Sequence, residues 1–529
     1  MNQVHASYSL EDLQVLDDKC LQEALALGLS PPDTMFHLVE SEEMYDIAAR
    51  GLPGRFSHYQ FGRSYEQQKG DYDRGKGRIY ELVINTKPAH AYLLDGNSFV
   101  SQFFVMAHVY GHTDFFEHNR YFEPADKNIL TRTRAAAERI DFYIGEHGRA
   151  AVENFIDSCQ AFEYNKDWDQ LAKRPSAKAP VWEDNKFDTL FPEEEKKRRE
   201  EHVVAKEDFK RRFPKAPERD ILRFIERHAT HLDDWQRDVI SIIRTEAEYF
   251  VPQGRTQVMN EGWAVRAHNH IVQTIMAKDD TFDTDDYLEY EAHNALVLHP
   301  KIATKSPPGD PNLIFHCIGI NPYLLGSLMW KDIARICVKP TDEEREKWES
   351  WAGKVDPIEF LDEIHQVYDD RVFISEFLSP KLCEQAKIFR TPRIGYKAYK
   401  DLRIQKEEFE WVRAFLVDQK TNLGVPYIEI TDANFGGRGE LYLEHRWEGQ
   451  FEILGLDDEY ARGTTELLLG LWGRPVNIRT IITEAHEEEE WGLNESGRLV
   501  RIFTPKIDDV WYRGSPVNRA ATKSHTPPS

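Results

Sequence analysis

The chain has 529 residues, with 67 Lys and Arg against 91 Asp and Glu and a formal net charge of −24. A surface this acidic repels nucleic acid and anionic lipid, and the length calls for two to four structural units. Hydrophobic residues make up 41% and aromatics 12%, enough for a sizeable core. The five cysteines form no CxxC pair, which fits a reduced, cytoplasmic protein without a disulfide framework. The N-terminal residues show no secretory pattern, and no run of about 18 apolar residues predicts a membrane span.

Residues 8–29 have amphipathic helical spacing, and residues 35–100 are mixed, with strand-like runs at RIYELVINT and AYLLDGNS. From Ser101 to about Gln170 the pattern is helical. Residues 171–220 are first Pro- and Lys-rich and then almost entirely charged, which predicts a solvated helix or a mobile insertion. A second helical block starts near Asp220, breaks at Pro252–Gly254 and continues to about residue 390. PYIEITDANF, GELYLEHRW and RPVNIRTIIT then read as strands around a helix at 457–473, and the Gly-rich FGGRG between two of them as a hairpin or loop. The expected architecture is α+β, mainly α. A large helical domain spans 1–400, a small α+β domain spans 401–512, and a disordered tail covers 513–529.

SQFFVMAHVYGHTDFFEHN and TQVMNEGWAVRAHNH are the segments with chemistry in them. His108 and His112 fall one turn apart on an apolar helix face, where buried imidazoles need hydrogen-bond partners or a metal. With Glu261 on a second helix they make a two-His, one-Glu set of the kind that holds catalytic zinc and leaves one position open. These are zincin-like helices with one departure. The general base that follows the first histidine in H-E-x-x-H enzymes is here Val109, which cannot take a proton. Asp114, Glu246 and Glu248 are the candidate replacements. His268, two turns beyond Glu261, is a candidate proton donor or oxyanion stabiliser. In GINPYLLGSL, Asn321 and Pro322 read as a helix entry. No phosphate loop, strand-led G-x-G-x-x-G or G-x-S-x-G elbow is present.

At YELVINTKPAHAYLLDGNS, MAHVYGHTDFFEHN, WQRDVISIIRTEAEYFVPQGRTQVMNEGWA, GINPYLLGSLMW, ISEFLSPKL and the block around LYLEHRWEGQ and LLLGLWGRPVNIRT, the sequence resembles the stage V sporulation protein R family over roughly residues 8–510. The resemblance implies a large helical part with a small C-terminal α+β part. It also implies a link to spore cortex formation or, in bacteria that do not sporulate, to stress responses alongside a serine protein kinase system. No catalytic activity comes with it. The zinc set of His108, His112 and Glu261, by analogy with zincins, adds the expectation of a zinc-dependent, hydrolase-like protein acting on a peptidoglycan-related substrate. The rival is a non-enzymatic regulator or scaffold built on a degenerate metallopeptidase fold. Paired Glu-x-x-His motifs, which a di-iron bundle would need, are absent.

Overall fold

A computed structural model describes residues 8–73, 81–166, 181, 192–305, 314–317, 319–389, 393–394, 403–446, 455–484, 490–493, 499–502, 506–515 and 521–526. Among them are seventeen helices and thirteen short strands, the strands in four small sheets, so the fold is α+β and mainly α, as expected. No described helix is long and apolar enough to cross a membrane. Packing divides the chain into two compact units, Met1–Phe142 with Glu248–Leu423 and Tyr143–Ala247 with Gly424–Ser529.

In the first unit, strand Ala89–Leu94 lies between Thr34–Val39, parallel to it, and Glu81–Ile84, antiparallel. Strand alternation gives this sheet two faces. Leu82, Ile84, Tyr92 and Leu94 pack into one core with Met44 and Ile47, while Ala91 and Leu93 join a larger core with Phe103, Met106 and Trp330. Glu81 stands opposite Leu93 in the ladder. Helix Phe99–His118 begins at Ser98, whose side chain accepts from Ser101 N–H, and every residue from Val100 to Phe116 is buried. A helix apolar on all sides belongs inside a protein, and the two histidines go in with it.

Helix Asp234–Lys278 contains Pro252 and bends at Thr256 (φ −122°, ψ 15°). The expected break is thus a kink, with helix continuing on both sides. Proline removes a main-chain donor and crowds the preceding turn. Past the kink, the freed N–H groups of Val258 and Met259 each donate to a carboxylate oxygen of the buried Asp370 at 2.9 Å, and Asp370 also pairs with Lys420 Nζ at 2.9 Å. Trp330 Nε1 donates to Met259 O at 3.0 Å. Two glycine contacts then set the spacing of three helices. A Cβ on Gly111 would stand 2.5 Å from Ala264 Cα, and one on Gly262 would stand 2.3 Å from the carbonyl carbon of Gly326, in helix Pro322–Val338. That last helix starts as expected, with Asn321 as N-cap and Pro322 in the first turn.

Helices Ser41–Arg50 and Tyr59–Asp73 alternate with the strands of residues 35–100, the mixture expected there. One stretch departs from expectation. Strands Ile302–Lys305, Ile314–Cys317 and Arg393–Ile394 form a sheet in a region read as helical, each too short to show a period.

The second unit holds a five-stranded sheet in the order Thr522–Ser524, Lys506–Gly514, Val476–Glu484, Glu440–His445, Ile428–Phe435. The last two form an antiparallel hairpin closed at Gly436, Gly437 and Gly439, whose φ values of 61°, 73° and 69° need glycine. Helix Asp458–Trp472 makes the crossover to the parallel strand Val476–Glu484. The backbone of Glu218 pairs with Ile430 in both directions, at 2.9 and 2.7 Å. The end of the charged segment therefore belongs to this sheet, whereas the sequence reading ended an insertion there and began a new domain at 401. Thr522–Ser524 likewise pairs with Lys506–Gly514, inside the stretch expected to be a disordered tail. Helix Pro192–Arg211 carries exposed pairs such as Lys210–Glu207, as a solvated helix would; most of 167–191 lies outside the described residues.

Removing the Asp370 carboxylate strands two buried N–H groups and an ammonium. Asp370→Ala is expected to lower unfolding free energy by about 3–5 kcal/mol in urea titration, and Asp370→Asn by less. Gly262→Ala forces two helices apart and is expected to cost about 1–3 kcal/mol in the same measurement.

Candidate metal centre

Three elements of the first unit deliver four ligand-bearing side chains to one place. Glu81 opens the strand Glu81–Ile84, His108 and His112 come from helix Phe99–His118, and Glu261 follows the kink of the long helix. One ligand atom from each lies within 4.8 Å of all the others. His108 Nε2 is 3.3 Å from Glu81 Oε1 and 3.7 Å from Glu261 Oε2, and His112 Nε2 is 3.6 and 3.4 Å from the same two oxygens. Metal–ligand bonds of about 2.0–2.2 Å put the corners of a tetrahedron roughly 3.3–3.6 Å apart, so these separations suit a single ion. They are long for charge-assisted hydrogen bonds, which run to about 2.9 Å. His108 Nε2, Glu81 Oε2 and Glu261 Oε2 are buried atoms without a hydrogen-bond partner.

Burial and charge act against each other here. Burial alone would lower the His112 pKa, but the carboxylates of Glu261 and Glu81 outweigh it and push it up to about 10. Burial would raise Glu261, yet His108 and His112 hold it down at about 2. The side chains of His108 and His112 are 1% and 5% exposed, whereas Glu81 and Glu261 each keep 17%, so the carboxylate side chains lie nearer the surface than the imidazoles. The opposite edges of the imidazoles are held by protein. His112 Nδ1 lies 2.9 Å from Asn260 Oδ1 and donates to it, and His108 Nδ1 lies 2.7 Å from His268 Nδ1.

The structure brings His108, His112 and Glu261 together. His268 sits behind His108. It is fully buried, with Nδ1 on His108 and Nε2 on Asn294 Oδ1 at 3.3 Å, so no ring nitrogen is free for a substrate. Burial, and then the neighbouring His108 ring, hold its pKa well below the ordinary value and keep it neutral. Glu246 is buried in the other compact unit and is not among the converging groups. Glu248 is exposed. Asp114 is occupied elsewhere, accepting from Ser30 N–H at 2.7 Å and Trp263 Nε1 at 2.8 Å. Val109 is core.

Glu81 and Tyr323 were not foreseen. Glu81 lies in a strand-like run with no other polar chemistry near it. Tyr323, one residue into the helix that begins at Pro322, has its ring centroid 5.8 Å from that of His108. Burial first, then the Glu261 and Glu81 carboxylates, push its phenol well above the ordinary range, so it keeps its proton.

The chain is 34% identical over 380 residues to the Escherichia coli (strain K12) protein called Uncharacterized protein YcgB, a match covering 68% of this chain and 70% of that one. No solved structure matches it. A family model described as SpoVR like protein matches residues 7–425, a span that contains Glu81, His108, His112, Glu261, His268 and Tyr323. The chain belongs to the family of SpoVR-like proteins.

Proposed function

We propose that this is a metal-dependent, hydrolase-like protein in which Glu81, His108, His112 and Glu261 hold one divalent cation, with zinc the first choice for two imidazoles and two carboxylates. The observation behind this reading is the convergence of four ligand atoms at tetrahedral spacing, with buried lone pairs that no hydrogen bond uses. A cation bound there would polarise a carbonyl or activate a water. The remaining work falls to the chain's own groups. One carboxylate of the pair can accept a proton while the other stays a ligand, which replaces the base that Val109 cannot provide. Tyr323 keeps its hydroxyl proton and can donate a hydrogen bond to a developing oxyanion. His268 orients His108.

We further propose that the protein acts in spore cortex formation or a bacterial stress response, with a peptidoglycan-type amide as substrate and a serine protein kinase system as partner; what stands behind this is membership of the SpoVR-like family alone. Among the described residues Cys20, Cys159, Cys337 and Cys383 are buried cysteines, a pattern that supports action in a reducing compartment, the cytoplasm. One observation favours the second reading, a non-enzymatic regulator or scaffold. Four protein ligands close a tetrahedral zinc site, as structural centres do.

Elemental analysis of purified wild type beside His112→Ala and Glu81→Gln tests both readings. About one metal per chain is expected in the wild type, lost in His112→Ala with far-UV circular dichroism unchanged. Wild-type metal content in His112→Ala would sink the ligand assignment. If Glu81→Gln keeps metal and loses hydrolysis of amide or peptidoglycan substrates, the centre is catalytic. If it loses metal and melts at lower temperature, the centre is structural and the regulator reading stands.

A further inference from the structure

Metal binding by His108 needs a bare Nε2, and the ring alone does not guarantee one. A neutral imidazole carries a single proton on either nitrogen. Across the 2.7 Å contact between His108 Nδ1 and His268 Nδ1 one proton serves both rings, and either ring can own it. Were it on His268, the proton of His108 would sit on Nε2 and face the carboxylates in place of a lone pair.

The choice is made farther away. The carbonyl of Val265 can only accept, and Asn269 Nδ2 donates to it at 2.8 Å. That contact orients the Asn269 amide. Its Oδ1 accepts from the Tyr290 hydroxyl at 2.8 Å and from Asn294 Nδ2 at 3.0 Å. Asn294 is oriented in turn, with Oδ1 facing His268 Nε2 at 3.3 Å. An amide oxygen cannot donate, so His268 carries its proton on Nε2. Its Nδ1 is then an acceptor, His108 donates to it from Nδ1–H, and His108 Nε2 is left bare. Phe104 lies 4.3 Å from His268 between ring centroids, and His268 and Tyr290 are both buried.

We propose that Asn269, Asn294 and His268 form a one-way hydrogen-bond relay, anchored on the Val265 carbonyl, that fixes the tautomer of His108. They are positioning residues for the metal centre. The consequence for affinity rests on the metal reading above; the tautomer is a property of the metal-free chain.

The test uses full-length protein labelled with ¹⁵N at histidine. NMR of the metal-free protein, with the His108 signals assigned by loss in His108→Gln, reports which ring nitrogen bears the proton. Chelator competition reports zinc affinity. In the wild type the proton is expected on Nδ1. Asn294→Leu leaves His268 Nε2–H without an acceptor, so His108 is expected to shift toward the Nε2–H form and zinc to bind about 10–100-fold more weakly. His268→Gln can accept from His108 and donate to Asn294, preserving the direction, and is expected to keep both the Nδ1–H form and affinity near wild type. A wild-type His108 protonated at Nε2 overturns the proposal, as does Asn294→Leu with tautomer and affinity unchanged. The wild-type spectrum decides even if a variant fails to fold. If the wild type shows Nδ1–H but binds no zinc, the relay stands and the metal reading fails.

Discussion

Everything at the centre depends on how closely three helix backbones approach. Helices packed through ordinary side chains sit about 8–10 Å apart. Here a glycine is present at each crossing, Gly111 against Ala264 and Gly262 against Gly326, and in both cases a single added carbon would meet backbone. Gly111 lies between His108 and His112, and Gly262 follows Glu261. The residues that allow contact are therefore interleaved with those that carry ligand atoms. The same crossings bring the start of helix Pro322–Val338, and so Tyr323, beside the His108 ring.

The constraint has an energetic counterpart. Two carboxylates and two imidazoles are set into an apolar core, and leaving buried polar atoms unpaired typically costs 1–3 kcal/mol each. The protein compensates around the rim. Asn260 and His268 take the far edges of the histidines, and Asp370 stabilises the backbone just ahead of Glu261 by taking the N–H groups left open past the break at Thr256. Lys420 in turn balances Asp370. Among the atoms left without a hydrogen bond are His108 Nε2 and Glu261 Oε2, which face each other across the cluster. Such a distribution fits a site completed by a positive ion, whose binding energy would then add to the stability of the fold.

Local periodicity made part of this legible in the sequence. His108 and His112 share a face because any helix places i and i+4 together, and Glu261 stands out as a carboxylate in an otherwise apolar helical run. Glu81 was hidden because its position depends on strand register. One residue along, it would join Leu82 on the other face of the sheet. Tyr323 was hidden because its helix docks through Gly326, a contact between segments far apart in sequence. The pairing of distant segments was hidden for a similar reason. The main-chain pairing of Glu218 with Ile430 joins segments that composition assigns to different parts of the chain.

The four side chains also differ in exposure, the two carboxylates keeping more than the two imidazoles. If the cluster takes a cation, as proposed, a hydrated ion would come under the pull of the carboxylates and would bind both imidazoles only after shedding water. Magnesium gives up water reluctantly, and neither it nor calcium is well served by imidazole. On that reading attraction and discrimination would be separated, the first resting on the oxygens and the second on the nitrogens.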